Sequence, residues 1–189
     1  MNDYQHDVRF GANVDPTAND PSWPLRLTHA IERAGLEYIG IQDAVKGAHP
    51  GPRPAHSIGL WLGSYGPRSL RLLGRLADGW LPSSSSAPPE RLPEMQQRIN
   101  EAALAAGRHP RDIRRIYNIM GMITDGPVQG LLTGPVDYWI DELTRLVVEV
   151  GMDTFIYWPA DDRLRQIEFF AAEVAPAVKD QVAKARGIS

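Results

Sequence analysis

Residues 58–83, IGLWLGSYGPRSLRLLGRLADGWLPS, read as strand, tight glycine turn, helix and strand in 26 residues. The turn at Gly63-Ser64-Tyr65-Gly66 opens a helix at Pro67, whose fixed φ suits a first helical position. That helix feeds Asp78-Gly79-Trp80 at the start of the next strand. Two strands joined through a helix must lie parallel, with a right-handed crossover. The helix N-terminus then stands at the end of a parallel strand, where free N–H groups and the helix dipole both favour an anion.

The same alternation runs through the chain. Val8 to Val14 reads as a strand, and a helix from about Pro24 buries Leu27, Ala30, Ile31 and Ala34 before Gly35 stops it. Glu37 to Gln42 is a second strand. In the helix from Pro67 to Ala77, Leu70, Leu73 and Leu76–Ala77 face inward, while Arg68, Arg71 and Arg75 line the wet side. Gly79 to Leu81 forms a short buried strand. Ser83 to Pro89 is a serine-rich loop in which Ser86 or a neighbour caps the next helix. That helix buries Leu92, Met95, Ile99 and Ala102–Ala103 and ends at Gly107. Arg114 to Met122 is a strand, Pro135 opens a helix ending at Gly151, and Thr154 to Trp158 is the last strand. The final helix follows the Asp161–Asp162 pair, and Pro176 kinks or restarts it. Six strands alternating with helices predict an α/β fold with a parallel sheet. A complete eight-stranded barrel needs about 250 residues, and this chain has 189.

Composition narrows the function classes. A net charge of −3 leaves no electrostatic footprint for nucleic acid or an anionic membrane. The absence of cysteine rules out disulfides and thiolate metal sites and suits a cytoplasmic location. No apolar run approaches the roughly 20 residues that span a bilayer. His6, His29, His49, His56 and His109 show no metal-binding spacing, and no P-loop, G-x-G-x-x-G or nucleophile motif is present.

Gly63, Ser64, Tyr65, Gly66 and Pro67 are the foremost binding candidates, the glycines serving where backbone must come close or take positive φ. A plain βα turn accounts for the same residues, and the turn alone does not choose. Asp78, Gly79 and Trp80 either close the same pocket or end a helix, ease packing and fill the core. Arg68, in the first helical turn, is read as part of the solvated face. Asp43, at the C-terminal end of the second strand, is the carboxylate considered for catalysis, with Asn13 and Asp15 behind it.

Four segments carry a family resemblance: Arg9 to Asp43, His49 to Ser83, Ile99 to Gly121, and GPVDYWIDELTRLVVEVGMDTFIYW with QIEFFAAEVAPAV. Together they resemble the luciferase-like monooxygenases, in their flavin- or deazaflavin-dependent oxidoreductase branch. The resemblance implies an incomplete (β/α)8 TIM-type barrel of about six strands in a single domain over residues 1–189. It also implies a phosphate of 8-hydroxy-5-deazaflavin (coenzyme F420) or FMN at the Gly63–Pro67 turn, and hydride transfer on a small-molecule substrate. The family's third and fourth strand units are missing. Ala44 stands where its members carry a His, and residues 44–57 form a Pro-rich join. Pro50, Pro52 and Pro54 preclude a covering helix there. The sheet is therefore expected to be open or squeezed into a smaller ring, with edges that invite a homodimer. The alternative function is a non-catalytic remnant that binds cofactor or merely dimerises.

Overall fold

The computed structural model describes residues 3–14, 22–41 and 59–188. The join at residues 44–57, and Asp15, Asp43, Ala44, His49 and His56, lie outside the described residues.

The strands are β1 (Arg9–Val14), β2 (Tyr38–Ile41), β3 (Trp61–Leu62), β4 (Gly79–Trp80), β5 (Arg114–Ile123), β6 (Thr133–Gly134) and β7 (Thr154–Pro159). The α-helices are α1 (Trp23–Arg33), α2 (Pro67–Leu76), α3 (Leu92–Ala105), α4 (Val136–Arg145), α5 (Arg163–Phe169) and α6 (Ala175–Ala185). The sheet order is β2-β1-β7-β5-β4-β3, with every pairing parallel and β6 branching from the end of β5. The chain is thus a half-barrel of six strands, an incomplete TIM-type barrel. β6 was not legible in the loop from Gly126 to Gly134, because two residues carry no periodicity.

Strand alternation splits the side chains into two sets. Phe10, Ala12, Tyr117, Ile119, Phe155 and Tyr157 point outward into the apolar core beneath the helices. The opposite set faces the lumen. There Trp61 stacks edge-on against Tyr38, ring centroids 5.5 Å apart, so the two ends of the sheet meet through aromatic side chains. Arg9 donates to the Tyr38 hydroxyl at 2.7 Å. A six-stranded ring is narrower than an eight-stranded one, and glycine makes the room. A Cβ on Gly79 would lie 2.6 Å from Trp61 Cδ1 and 2.9 Å from Ile116 Cδ1.

Gly35, Gly107 and Gly151 end their helices with left-handed φ, as expected. Other expectations need correcting. Leu76 is 63% exposed, because it lies on the arginine side of α2 and the helix ends there. Ser86 caps nothing; a 3-10 turn at Pro89–Arg91, preceded by Pro88, leads into α3. Pro135 is the N-cap of α4 rather than its first residue. α4 and α5 each run on into a π-turn, Leu146–Val150 and Phe170–Val174. The first of these shifts the helical phase, so Leu146 and Val147 are both buried. α6 restarts immediately before Pro176, which has no N–H to continue a ladder.

Candidate functional site

A cavity of about 400 Å³ opens at the C-terminal ends of the strands, lined by Asn13, Gly40, Leu81, Ser83, Ser85, Asn118, Met120, Ile156 and Trp158. Register creates it: Asn13 pairs with Gly40, and Asn118 with Ile156, so both carboxamides project into the lumen above the aromatic plug. Asn13 is 7% exposed, and its side chain makes no hydrogen bond among the described residues. The indole Nε1 of Trp158 is likewise buried without an acceptor. A buried polar group left unpaired costs on the order of 1–3 kcal/mol. The Trp158 nitrogen is therefore poised for a ligand or for water.

The serine-rich loop forms one wall. Asn118 N–H donates to the Pro82 carbonyl and Ser84 N–H to the Asn118 carbonyl, each at 2.9 Å, so the loop prolongs β4 along β5. On its outer side the Tyr117 hydroxyl donates to the Ala87 carbonyl at 2.6 Å. Burial pushes the Tyr117 phenol well above its ordinary value, keeping it a neutral donor.

The Gly63–Pro67 turn abuts this wall. Ser83 N–H donates to the Tyr65 hydroxyl at 3.0 Å, and the fully buried Trp80 donates from Nε1 to the Ser64 carbonyl at 2.9 Å. Neither Gly63 nor Gly66 takes a positive φ. A Cβ on Gly63 would come within 3.1 Å of the Leu81 carbonyl oxygen, so close approach is its constraint. Gly66 is the extended N-cap of α2 without a side-chain cap, and the first-turn amides have no intrahelical acceptor. The turn thus touches the cavity wall at Ser83 and Leu81, while Gly63–Pro67 and Trp80 do not themselves line the cavity. Gly79 lies lower, against Trp61 in the lumen. Asp78 is not brought to the turn: it opens β4 at the opposite end and accepts from Leu60 N–H at 2.8 Å.

Ser83, Ser85, Asn118, Met120, Ile156 and Trp158 were missed in the sequence. A polar residue between Ile116 and Met120 on the lumen face of β5 was the available signal for Asn118. Its partners come from strands far away in the chain.

The sequence profile of the luciferase-like monooxygenases matches residues 36–128. Over that stretch, just under half of its length, the chain is similar to the luciferase-like family. The chain is 33% identical over 89 residues to the phthiodiolone/phenolphthiodiolone dimycocerosates ketoreductase of Mycobacterium tuberculosis, covering 47% of this chain and 20% of that protein. It is 27% identical over 84 residues to the F420-dependent glucose-6-phosphate dehydrogenase of Microbacterium testaceum, covering 44% and 25%. The matched part thus spans a quarter or less of these curated relatives. In structure, the chain is similar to an F420-dependent secondary alcohol dehydrogenase solved with an F420-acetone adduct (TM-score 0.57, 18% identity, 89% of this chain and 69% of that one). It is also similar to flavoprotein 390 (TM-score 0.58, 11% identity), covering 97% of this chain and 96% of that one. At such identities the likeness shows the fold alone. The near-equal coverage means that a chain of about this length carries a matching fold.

Among the described residues no group of His, Asp and Glu could hold a metal ion, and no helix is long and apolar enough to cross a membrane.

Proposed function

We propose that this chain is a flavin- or deazaflavin-dependent oxidoreductase that binds coenzyme F420 or FMN in the cavity at the C-terminal ends of its strands. The observation that carries the reading is the contact of the turn with the cavity wall through the Tyr65–Ser83 hydrogen bond. The phosphate would lie against the amides at the head of α2, with Gly63, Ser64, Tyr65, Gly66 and Pro67 around it and Trp80 fixing the turn from below. Asn13 and Asn118 would meet the polar edge of the ring, and Met120, Ile156 and Trp158 its faces. The cavity volume lies in the range of ordinary cofactor sites. When bound, the cofactor supplies hydride chemistry; the protein binds and orients it. F420 dependence of a relative and of a structural neighbour supports the deazaflavin over FMN.

One observation favours the second reading, a cofactor-binding protein without turnover. The cavity lining carries no ionisable side chain among the described residues, so nothing described there can give or take a proton. Asp43, outside the described residues, is proposed as the group that decides between the two. A homodimer is proposed as well, supported by Ile39 and Leu60, which are 43% and 48% exposed at and beside the free edges of β2 and β3.

Titration with coenzyme F420 and with FMN, followed by visible absorbance and fluorescence, tests the reading. Saturable binding at micromolar concentration is expected, with the deazaflavin binding more tightly. Absence of binding of either at high micromolar concentration defeats it. Reduction of the bound cofactor by an alcohol or sugar phosphate separates enzyme from binder, and light scattering reports the dimer.

A further inference from the structure

A groove of about 870 Å³ lies between α2 and α3 and shares no lining residue with the cavity at the strand ends. Arg68, Arg71, Leu72 and Arg75 line one side, and Ala102, Ala105 and Ala106 the other. The arginines sit at i, i+3 and i+7, on one face over roughly 10 Å of helix. All three are exposed, and none makes a hydrogen bond or ion pair among the described residues.

Several other arginines are paired. Arg98 pairs with Glu94, Arg145 with Glu142, Arg114 with Asp153 and Arg186 with Asp3. α2, PRSLRLLGRL, contains no acidic residue at all. Its first turn holds Arg68, a cation at the positive end of the helix dipole, where it costs stability rather than adding it. Leu72 and Leu76, 50% and 63% exposed, lie beside the arginines, and Leu104 on α3 is 63% exposed. Folding gains nothing from either arrangement.

We infer that this groove docks an acidic amphipathic helix of a partner protein. Its carboxylates would meet Arg71 and Arg75, with Arg68 at the end of the row, and its apolar stripe would cover Leu72 and Leu76. The alanine face of α3 lets a third helix approach closely, because small side chains permit a short interaxial distance. α2 and α3 already cross closely, a Cβ on Gly74 being blocked by the Ile99 carbonyl. The apolar lining favours a helix over a free phosphate, since phosphate would leave the leucines wet. The net charge of −3 disfavours nucleic acid, which depends on long-range attraction. Helix-in-groove recognition reads such i, i+3, i+7 patterns.

The test uses the full chain and a labelled designed peptide of about 18 residues, long enough to sustain a marginal helix, with a leucine stripe flanked by glutamates. Fluorescence anisotropy should show saturable binding that weakens as salt is raised. A scrambled peptide of the same composition, a lysine-for-glutamate version and a single-stranded oligonucleotide serve as controls. Arg71→Glu with Arg75→Glu should weaken binding about tenfold or more and shift preference to the lysine peptide. Circular dichroism melting confirms that this surface variant folds. Equal binding of the scrambled peptide, tighter binding of the oligonucleotide, or unchanged affinity in the folded variant each overturns the proposal.

Discussion

At the N-terminal end of the strands, Asp153 accepts from Arg115 N–H at 2.9 Å and Thr154 Oγ1 at 2.7 Å, and pairs with Arg114 at 3.1 Å. His6 joins it at 2.8 Å and reaches the Arg111 carbonyl at the same distance. Arg115, fully buried, donates to Ile113 and Asn100 and lies 4.7 Å from the Tyr4 ring. Burial pushes its pKa below the ordinary arginine value, with Tyr4 and Asp153 opposing. At the C-terminal end, Trp158 Nε1 is buried without an acceptor, and the Asn13 side chain makes no hydrogen bond among the described residues. Barrels place stability at the first end and ligands at the second. Here the division is visible in which polar groups are satisfied, Arg115 Nε, Gln96 Oε1 and Thr144 Oγ1 being exceptions away from the cavity.

If that division holds, substitutions at the lower end should cost stability and those at the upper end should cost binding. Asp153→Ala is expected to lose about 3–5 kcal/mol of unfolding free energy in urea, because it strands the charges gathered around it. A loss below ~1 kcal/mol would break the contrast. Between the ends, Gly79→Val should cost about 1–3 kcal/mol by overfilling the lumen. Adding Trp61→Leu should restore part of that loss, and strict additivity would show that the two do not share the space.

At the upper end, Asn13→Ala should leave the urea midpoint nearly unchanged while weakening coenzyme F420 binding about tenfold, or ~1.4 kcal/mol. Equal losses in both measurements would erase the distinction. Tyr65→Phe, removing the acceptor of Ser83 N–H, should cost about 0.5–1.5 kcal/mol at most, and its clearer mark is a faster release of cofactor in stopped flow.

The smallest effect is in acid. Burial raises the Glu37 pKa, but hydrogen bonds from Lys179 and the Phe10 amide outweigh it and hold the carboxyl below 4.5. A depressed carboxylate contributes stability that is present above its unfolded pKa and lost as pH falls through the folded one. Glu37→Gln should therefore flatten the loss of stability below about pH 4.5, by less than ~1 kcal/mol after solvent screening. Urea midpoints across that range that match the parent chain's would remove Glu37 from the stabilising set.

The βα units were legible because each rests on short-range periodicity: Leu27, Ala30 and Ile31 in α1, or Met95, Ile99 and Ala103 in α3, are buried as their spacing demands. The turn at Gly63–Pro67 was legible for the same reason. The N-terminal tail was not; Asp3, Tyr4 and His6 look like a polar extension, yet Asp3 pairs with Arg186 at 2.6 Å. Their partners lie more than 90 residues away, beyond any local pattern.

By itself, then, the sequence determined the order of strands and helices, the parallel pairing and the helix stops, all of which follow from neighbours within a turn or two of the chain. The tertiary structure alone decided that Tyr38 and Trp61 would meet, that Arg115 would be buried, and that Asn13, Asn118 and Trp158 would share one cavity. Those outcomes depend on the register between strands distant in sequence. A one-residue slip would turn each side chain to the opposite face.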